Sequence, residues 1–482
     1  MARYMVDSLD MRAGQISTLA GRLADGRASS EALITKAVRA IDAHRAEGGV
    51  AYVSVDVKGA LSLAQESDRM RNAGFVPSSL AGLPISVTDA FDMAGCVTGA
   101  ASKVRSSSSP AVIDALVVAR LRNAGAILLG RTNMSEFALS CLGTNSHYGT
   151  PTLPMDRCRV VGGSGSGLAV SVATKMAVAG VGADTQGSIR IPAAFCGLVG
   201  FKPSANRVST RGLYPLSPTL DSIGSIARYV DDCVILDAIM SGERGEVGGR
   251  PLKGLRLAVT SDYVLDALDE NVEYAFKRAL QLLTDAGATL VWFDFPELAS
   301  LGRISDTGDF VAVEAWYHHR QNAQAAALEC YDPVVLKRLR QGESLSAYDY
   351  LDLLAERQRL IQVARARLMD VDAWLMPTVP MSAPRLDELG SGEPCANYFE
   401  REARARRNTS LVNFLDGCAL TLPCQEHKEL PVGLSIVGLN GMDADVLKIG
   451  RSVEALLRAS RAAVAKEPVA PREERRDRRV AK

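Results

Sequence analysis

Short apolar runs alternate with stretches of helical periodicity along most of this chain. The runs Leu83 to Val87, Ala126 to Leu129, Val178 to Gly182, Leu255 to Val259, Thr289 to Phe293, Ala373 to Met376 and Val432 to Val437 have the length and composition of strands buried on both faces. Between them lie helical patterns. Ala13 to His44 reads as two helices broken at Gly26, with Ser29 and Ser30 as N-cap candidates and Leu33, Ile34, Ala37, Val38 and Ile41 on one face. This predicts an N-terminal helical wrapper. Ile113 to Gly130 reads as a helix, a Gly125 C-cap and a buried strand, and the segment from Asp269 repeats that layout. Alternation of this kind predicts an α/β sheet covered by helices on both faces.

Composition narrows the partners. The chain has 482 residues, of which 47% are hydrophobic, enough for a large core. Gly242 to Gly254 is the best linker candidate, and it reads as a loop between halves of one sheet. A single domain over 1–464 is therefore expected. From about Ala465 the chain turns charged and poor in apolar residues, a composition expected to stay disordered. Lys+Arg and Asp+Glu balance at 55 each, so no global field favours nucleic acid or a membrane surface. Nine cysteines without metal-ligand spacing fit reduced thiols in a cytoplasm. The N-terminal stretch lacks an apolar signal region, and Lys175 interrupts the most apolar helix, so neither a secretory signal nor a membrane span is expected.

Candidate chemistry concentrates in Val161 to Ser204. Ser164 is flanked by Gly162, Gly163, Gly165 and Gly167, and Ser188 by Gly187. Glycines let such turns take conformations that side chains forbid. A serine on a sharp turn with N–H groups converging on the same space is what acyl transfer requires, a nucleophile beside an oxyanion hole. The blander reading of Ser188 is an N-cap for the short helix that ends at Gly197.

This segment resembles the amidase signature family. The likeness extends through Gly82 to Gly95, Gly130 to Phe137, Arg407 to Phe414 and Leu430 to Leu434. The resemblance implies one α/β domain, a central mixed sheet flanked by helices, that hydrolyses carboxamides without a metal or organic cofactor. It implies Ser188 as nucleophile and Ser164, in a cis peptide, as proton relay; their separation of 188 − 164 = 24 positions matches the family spacing. Backbone N–H groups of Thr185, Gln186, Gly187 and Ser188 would form the oxyanion hole. Asp184 and Arg190 would support that loop. The implied partner is a small-molecule amide, with room for a homodimer and no role for nucleic acid or membrane.

Several positions depart from the family pattern. The lysine expected as general base falls on Thr88. A threonine hydroxyl is far too weak a base near pH 7 and several atoms too short to replace it, so any link to Ser164 needs an intervening water. Gln186 stands in place of a glycine, Gly165 and Ser166 exchange the usual serine and glycine, and Leu153 and Val161 replace an asparagine and a proline. Other candidate bases are His147, His318, His319, Lys175 and Lys202, none of which the resemblance makes catalytic. Three functions remain open: an amidase kept active by water, substrate or another base; a non-catalytic binding protein; and an ordinary amidase inactivated by loss of its lysine. Pocket walls are expected from Ile304 to Glu329 and Asp387 to Tyr398, with Trp316 and Tyr317 as aromatic candidates.

Overall fold

The computed structural model describes residues 14–243, 248–302, 309–320, 328–390 and 396–464. The charged tail and parts of the two wall segments lie outside the described residues. Eleven of the strands form one sheet. In chain order the strands are β1 (Tyr52–Val55), β2 (Pro84–Thr88), β3 (Ile127–Thr132), β4 (Thr152–Leu153), β5 (Asp156–Val160), β6 (Ala179–Asp184) and β7 (Val199–Lys202). They continue as β8 (Ser222–Ala227), β9 (Arg256–Val259), β10 (Thr289–Trp292), β11 (Ala373–Pro377), β12 (Cys418–Pro423) and β13 (Gly433–Gly438). The sheet order is β1-β3-β2-β6-β8-β7-β12-β13-β11-β9-β10, with β4 and β5 as a separate hairpin. β3, β2 and β6 run parallel, the centre from β6 to β13 is antiparallel, and β11, β9 and β10 are again parallel.

All seven anticipated runs became strands. β2, β6, β11, β12 and β13 are buried along their whole length apart from Ala183, so helices cover both faces as the apolar runs predicted. At the N-terminus the helices Gln15–Ala24 and Ser30–Ala46 form, with the Ser29 side chain accepting from Ala32 N. Ile34, Ala37 and Ile41 are buried against Ile127, Leu129 and the helix Ser166–Ala173. Gly125 takes the positive φ predicted for its cap. Among the described residues no helix is long and apolar enough to cross a membrane.

Thr88 ends β2 and Asp184 ends β6, and these neighbours are parallel. Loops leaving both strands therefore open on one edge of the sheet, where α/β proteins place their sites.

Candidate active site

Strand β6 hands over to the loop Thr185-Gln186-Gly187-Ser188 and then to the helix Arg190–Cys196. Asp184 organises this turn from inside. Its fully buried carboxylate accepts from Gly187 N at 2.8 Å, Ile189 N at 3.2 Å, and Arg190 Nε and Nη2 at 3.0 and 2.9 Å. Burial works against that charge, but the Arg190 guanidinium outweighs it and holds the carboxyl below its usual range. Arg190 also donates to Thr409 O and Asn413 Oδ1. Asp184 and Arg190 thus support the loop, as expected of them.

The expectation for Gly187 needs correction. Its N–H is spent on Asp184, because a sealed carboxylate must collect donors. The N–H groups of Thr185, Gln186 and Ser188 make no hydrogen bond within the described protein, so these three are the ones left to receive an oxyanion. Gly187 itself has φ +119°, and a Cβ there would strike Thr409. Ser188 is not a helix cap, since Ile189 holds that position and no side chain caps it.

The Ser164 turn docks directly on the Ser188 turn. The Gly163–Ser164 peptide is cis, and Gly165 N donates to Ser188 O at 3.1 Å while Gly163 N donates to Cys141 O at 2.8 Å. One backbone hydrogen bond therefore joins residues that lie far apart in sequence. Both serines are buried, yet neither hydroxyl is sealed from solvent or bonded within the described protein.

Thr88 is 3% exposed and lies between the two turns. A Cβ placed on Gly182 would meet Thr88 Cγ2 at 3.0 Å and the side chains of Ile189 and Leu168 at 3.1 Å. Ile189 follows Ser188, and Leu168 lies on the helix that follows Ser164. Thr88 Oγ1 is sealed and has no hydrogen-bond partner, an arrangement that costs about 1–3 kcal/mol.

None of the other candidate bases hydrogen-bonds Ser164. His147 Nε2 lies 3.2 Å from Glu136 Oε1, and His319 Nδ1 is 2.9 Å from the Tyr331 hydroxyl, with burial pushing its pKa down to about 4. His318 is half-buried and follows Tyr317 on the surface. Lys175 is exposed beyond the far end of the helix Ser166–Ala173. Lys202 is buried on β7, donates to Pro203 O at 2.7 Å, and has its pKa lowered to about 8 by burial.

The remaining departures are structural. Leu153 packs with Val160, Ile191 and Phe195, and Val161 with Leu168 and Ala193. Ser166 opens its helix with a sealed, unpartnered hydroxyl. Trp316 packs on the core, whereas Tyr317 is 59% exposed and stacks under Arg320.

Two buried acids around the site were not anticipated. Asp221 accepts from Thr185 Oγ1 at 2.5 Å, and burial raises its pKa to about 7. Glu136 accepts from Ser102 Oγ at 2.6 Å and Asp332 N at 2.7 Å, and burial likewise raises it to about 7. The Gln186 amide lies between Asp309 and Arg338. Glu136 belongs to the stretch Gly130 to Phe137, but a lone acid there announced no role. Among the described residues no group of three or more His, Cys, Asp or Glu is placed to hold a metal ion.

Paired serine turns thus lie beyond the ends of parallel strands, with unbonded N–H groups beside one of them. The chain belongs to the Amidase family, whose model matches residues 32–447. It is 35% identical over 415 residues to the 2-amino-5-chloromuconic acid deaminase of Comamonas testosteroni, covering 84% of this chain and 88% of that protein. It is 32% identical over 447 residues to a glutamyl-tRNA(Gln) amidotransferase component from Koribacter versatilis, covering 85% and 91%. A crystal structure of an amidase matches with a TM-score of 0.82 at 34% identity, over 91% of this chain and 98% of that one. The protein is an amidase-type enzyme acting on carbon–nitrogen bonds.

Proposed function

We propose that the protein hydrolyses a small carboxamide through an acyl-enzyme on Ser188. Ser188 Oγ attacks the carbonyl carbon and passes its proton to Ser164, whose own proton moves to a water on the open side of the pocket, since the Ser164 hydroxyl is not sealed. The carbonyl oxygen takes the negative charge beside the N–H groups of Gln186 and Ser188, with Thr185 N–H adjoining. On collapse the C–N bond breaks, the amine leaves with a proton, and a second water hydrolyses the ester to acid and free Ser188. The observation that carries this reading is the Gly165 N–H to Ser188 O bond at 3.1 Å, which seats relay and nucleophile side by side. Thr88 Oγ1 is sealed and without a protein partner, so position 88 offers that water neither a base nor a contact.

With water in place of an amine base, turnover should be slow, since general-base assistance is worth about 10²- to 10⁴-fold. The absence of any basic nitrogen bonded to Ser164 among the described residues favours one other reading, a protein that binds an amide without cleaving it. A serine-directed aryl phosphonate separates the two. Labelling that is lost in Ser188→Ala supports the hydrolase; wild-type protein that stays unlabelled while amides bind by calorimetry leaves the binding protein. Because a relative is named for 2-amino-5-chloromuconic acid, that acid belongs in the substrate panel with primary and aryl amides.

A further inference from the structure

The Gln186 side chain is buried and engaged at both ends. Its Nε2 donates to Asp309 Oδ2 at 2.7 Å, and its Oε1 accepts from Arg338 Nη2 at 2.7 Å. The amide supplies a donor to the carboxylate and an acceptor to the guanidinium at once, and the reverse orientation would set NH₂ against the cation. Both partners are themselves held. Asp309 Oδ2 is 3.1 Å from Arg406 Nη1 and its Oδ1 accepts from Ala312 N; Arg338 Nη1 donates to Glu402 Oε1 at 2.7 Å.

The chain of contacts then reaches the other serine turn. Glu402 Oε1 accepts from Cys141 N at 3.0 Å, and Cys141 O accepts from Gly163 N, the residue before Ser164. Meanwhile the peptide unit joining Gln186 and Gly187 is held at both polar ends, its C=O by Thr409 Oγ1 at 2.7 Å and its N–H by Asp184 at 2.8 Å. A unit held this way does not rotate. The N–H groups on either side, those of Gln186 and Ser188, sit on the adjoining peptide units, whose direction turns on the remaining torsions at Gln186 and Gly187.

We propose that the Gln186 side chain is a positioning residue, whose amide ties the oxyanion loop to Asp309 and Arg338 and so aims the Gln186 and Ser188 N–H groups at the substrate oxyanion. This rests on the acyl-enzyme reading for its chemical consequence, and on geometry alone for its structural one. Misplaced donors cost on the order of 10- to 100-fold in acylation.

The test uses Gln186→Met, which removes both hydrogen bonds, and Gln186→Glu, which keeps an acceptor for Arg338 but regains a donor for Asp309 only when its carboxyl is protonated, and when ionised repels Asp309. Two readouts are followed across pH 5.5–8.5: the rate of Ser188 phosphonylation relative to wild type, and amide hydrogen exchange over residues 184–189. Gln186→Met is expected to label about 10- to 100-fold more slowly at every pH and to exchange faster in that segment. Gln186→Glu is expected to match it at pH 8.5 and to recover toward wild type as pH falls. Wild-type rates and exchange in both variants overturn the proposal, as does a Gln186→Glu defect that is the same at all pH values. If wild-type protein is not labelled, the acyl-enzyme reading fails by itself, and the exchange data still decide whether the amide holds the loop.

Discussion

Replacing Thr88 with lysine should convert a slow hydrolase into a fast one. Thr88 ends β2 with its hydroxyl sealed and unpartnered, packed toward Leu168 and Ile189. An ammonium brought into such surroundings loses hydration, which lowers its pKa and favours the neutral amine that a general base requires. The adjacent acid in sequence, Asp89, does little to oppose this, because it is engaged by Arg131 Nη1 at 2.9 Å. General-base assistance of about 10²- to 10⁴-fold corresponds to roughly 3–5 kcal/mol off the barrier. The stability terms nearly cancel: the longer side chain costs about 1–3 kcal/mol in overpacking, and loss of the unpartnered hydroxyl returns about 1–3 kcal/mol. Thr88→Lys should therefore melt near wild type while kcat/KM on primary and aryl amides rises at least 100-fold, with a rate that increases with pH as the amine deprotonates. A variant that melts like wild type, is labelled at Ser188, and hydrolyses no amide more than a few-fold faster would refute the claim that position 88 limits proton removal.

Three further outcomes follow from the packing around the site. Gly165→Ala places a Cβ 2.8 Å from Ser188 O, so the two turns must separate; phosphonate labelling should slow about 100-fold and denaturant stability should fall by about 1–3 kcal/mol. Asp184→Asn leaves the buried Arg190 guanidinium without its carboxylate and should cost about 3–5 kcal/mol in urea unfolding. Glu136, raised from 4.5 to about 7 by burial, holds its proton more tightly folded than unfolded. Its contribution is complete below about pH 4.5 and is lost as pH rises through 7, a span worth on the order of 3 kcal/mol. Glu136→Gln should thus gain stability relative to wild type at pH 8 and lose that advantage by pH 4.5; a difference that does not vary with pH contradicts the assignment.

The strands that could be read from the chain are those whose own side chains announce burial. Leu83 to Val87 and Val432 to Val437 are apolar apart from Ser86 and Ser435, and they became β2 and β13. β8, with the sequence SIGSIA, was not anticipated because Ser222, Gly224 and Ser225 are polar or small, yet both serines are buried. Its place between β6 and β7, rather than its composition, makes it a strand, and Ser222 Oγ meets its need by donating to Asp184 O. The serines of the site were legible for a related reason: glycines confined to one short segment declare a turn. The Gln186 contacts were not, since Asp309 and Arg338 lie 123 and 152 positions away and nothing local predicts that those residues meet. The same holds for the Gly187 N–H, whose loss to Asp184 depends on a carboxylate folded back under its own loop.

Thr88 and Gln186 act on different halves of one reaction. On the proposed acyl-enzyme route, position 88 would set how easily a proton leaves Ser164, while Gln186 would set how well negative charge is received at the carbonyl oxygen. Substrates weight these halves unequally. An unactivated amide needs both, because its amine leaves only when protonated; an aryl ester or phosphonate, whose leaving group departs as an anion, leans mainly on the oxyanion side. A site with a weak base and a firmly held oxyanion loop should therefore discriminate against primary amides far more than against aryl esters. It follows that Thr88→Lys should raise amide turnover much more than ester turnover, whereas Gln186→Met should lower both alike. Equal effects of Thr88→Lys on the two substrate classes would mean that the two positions share a single role, and the division of labour argued from their separate hydrogen-bond environments would be wrong.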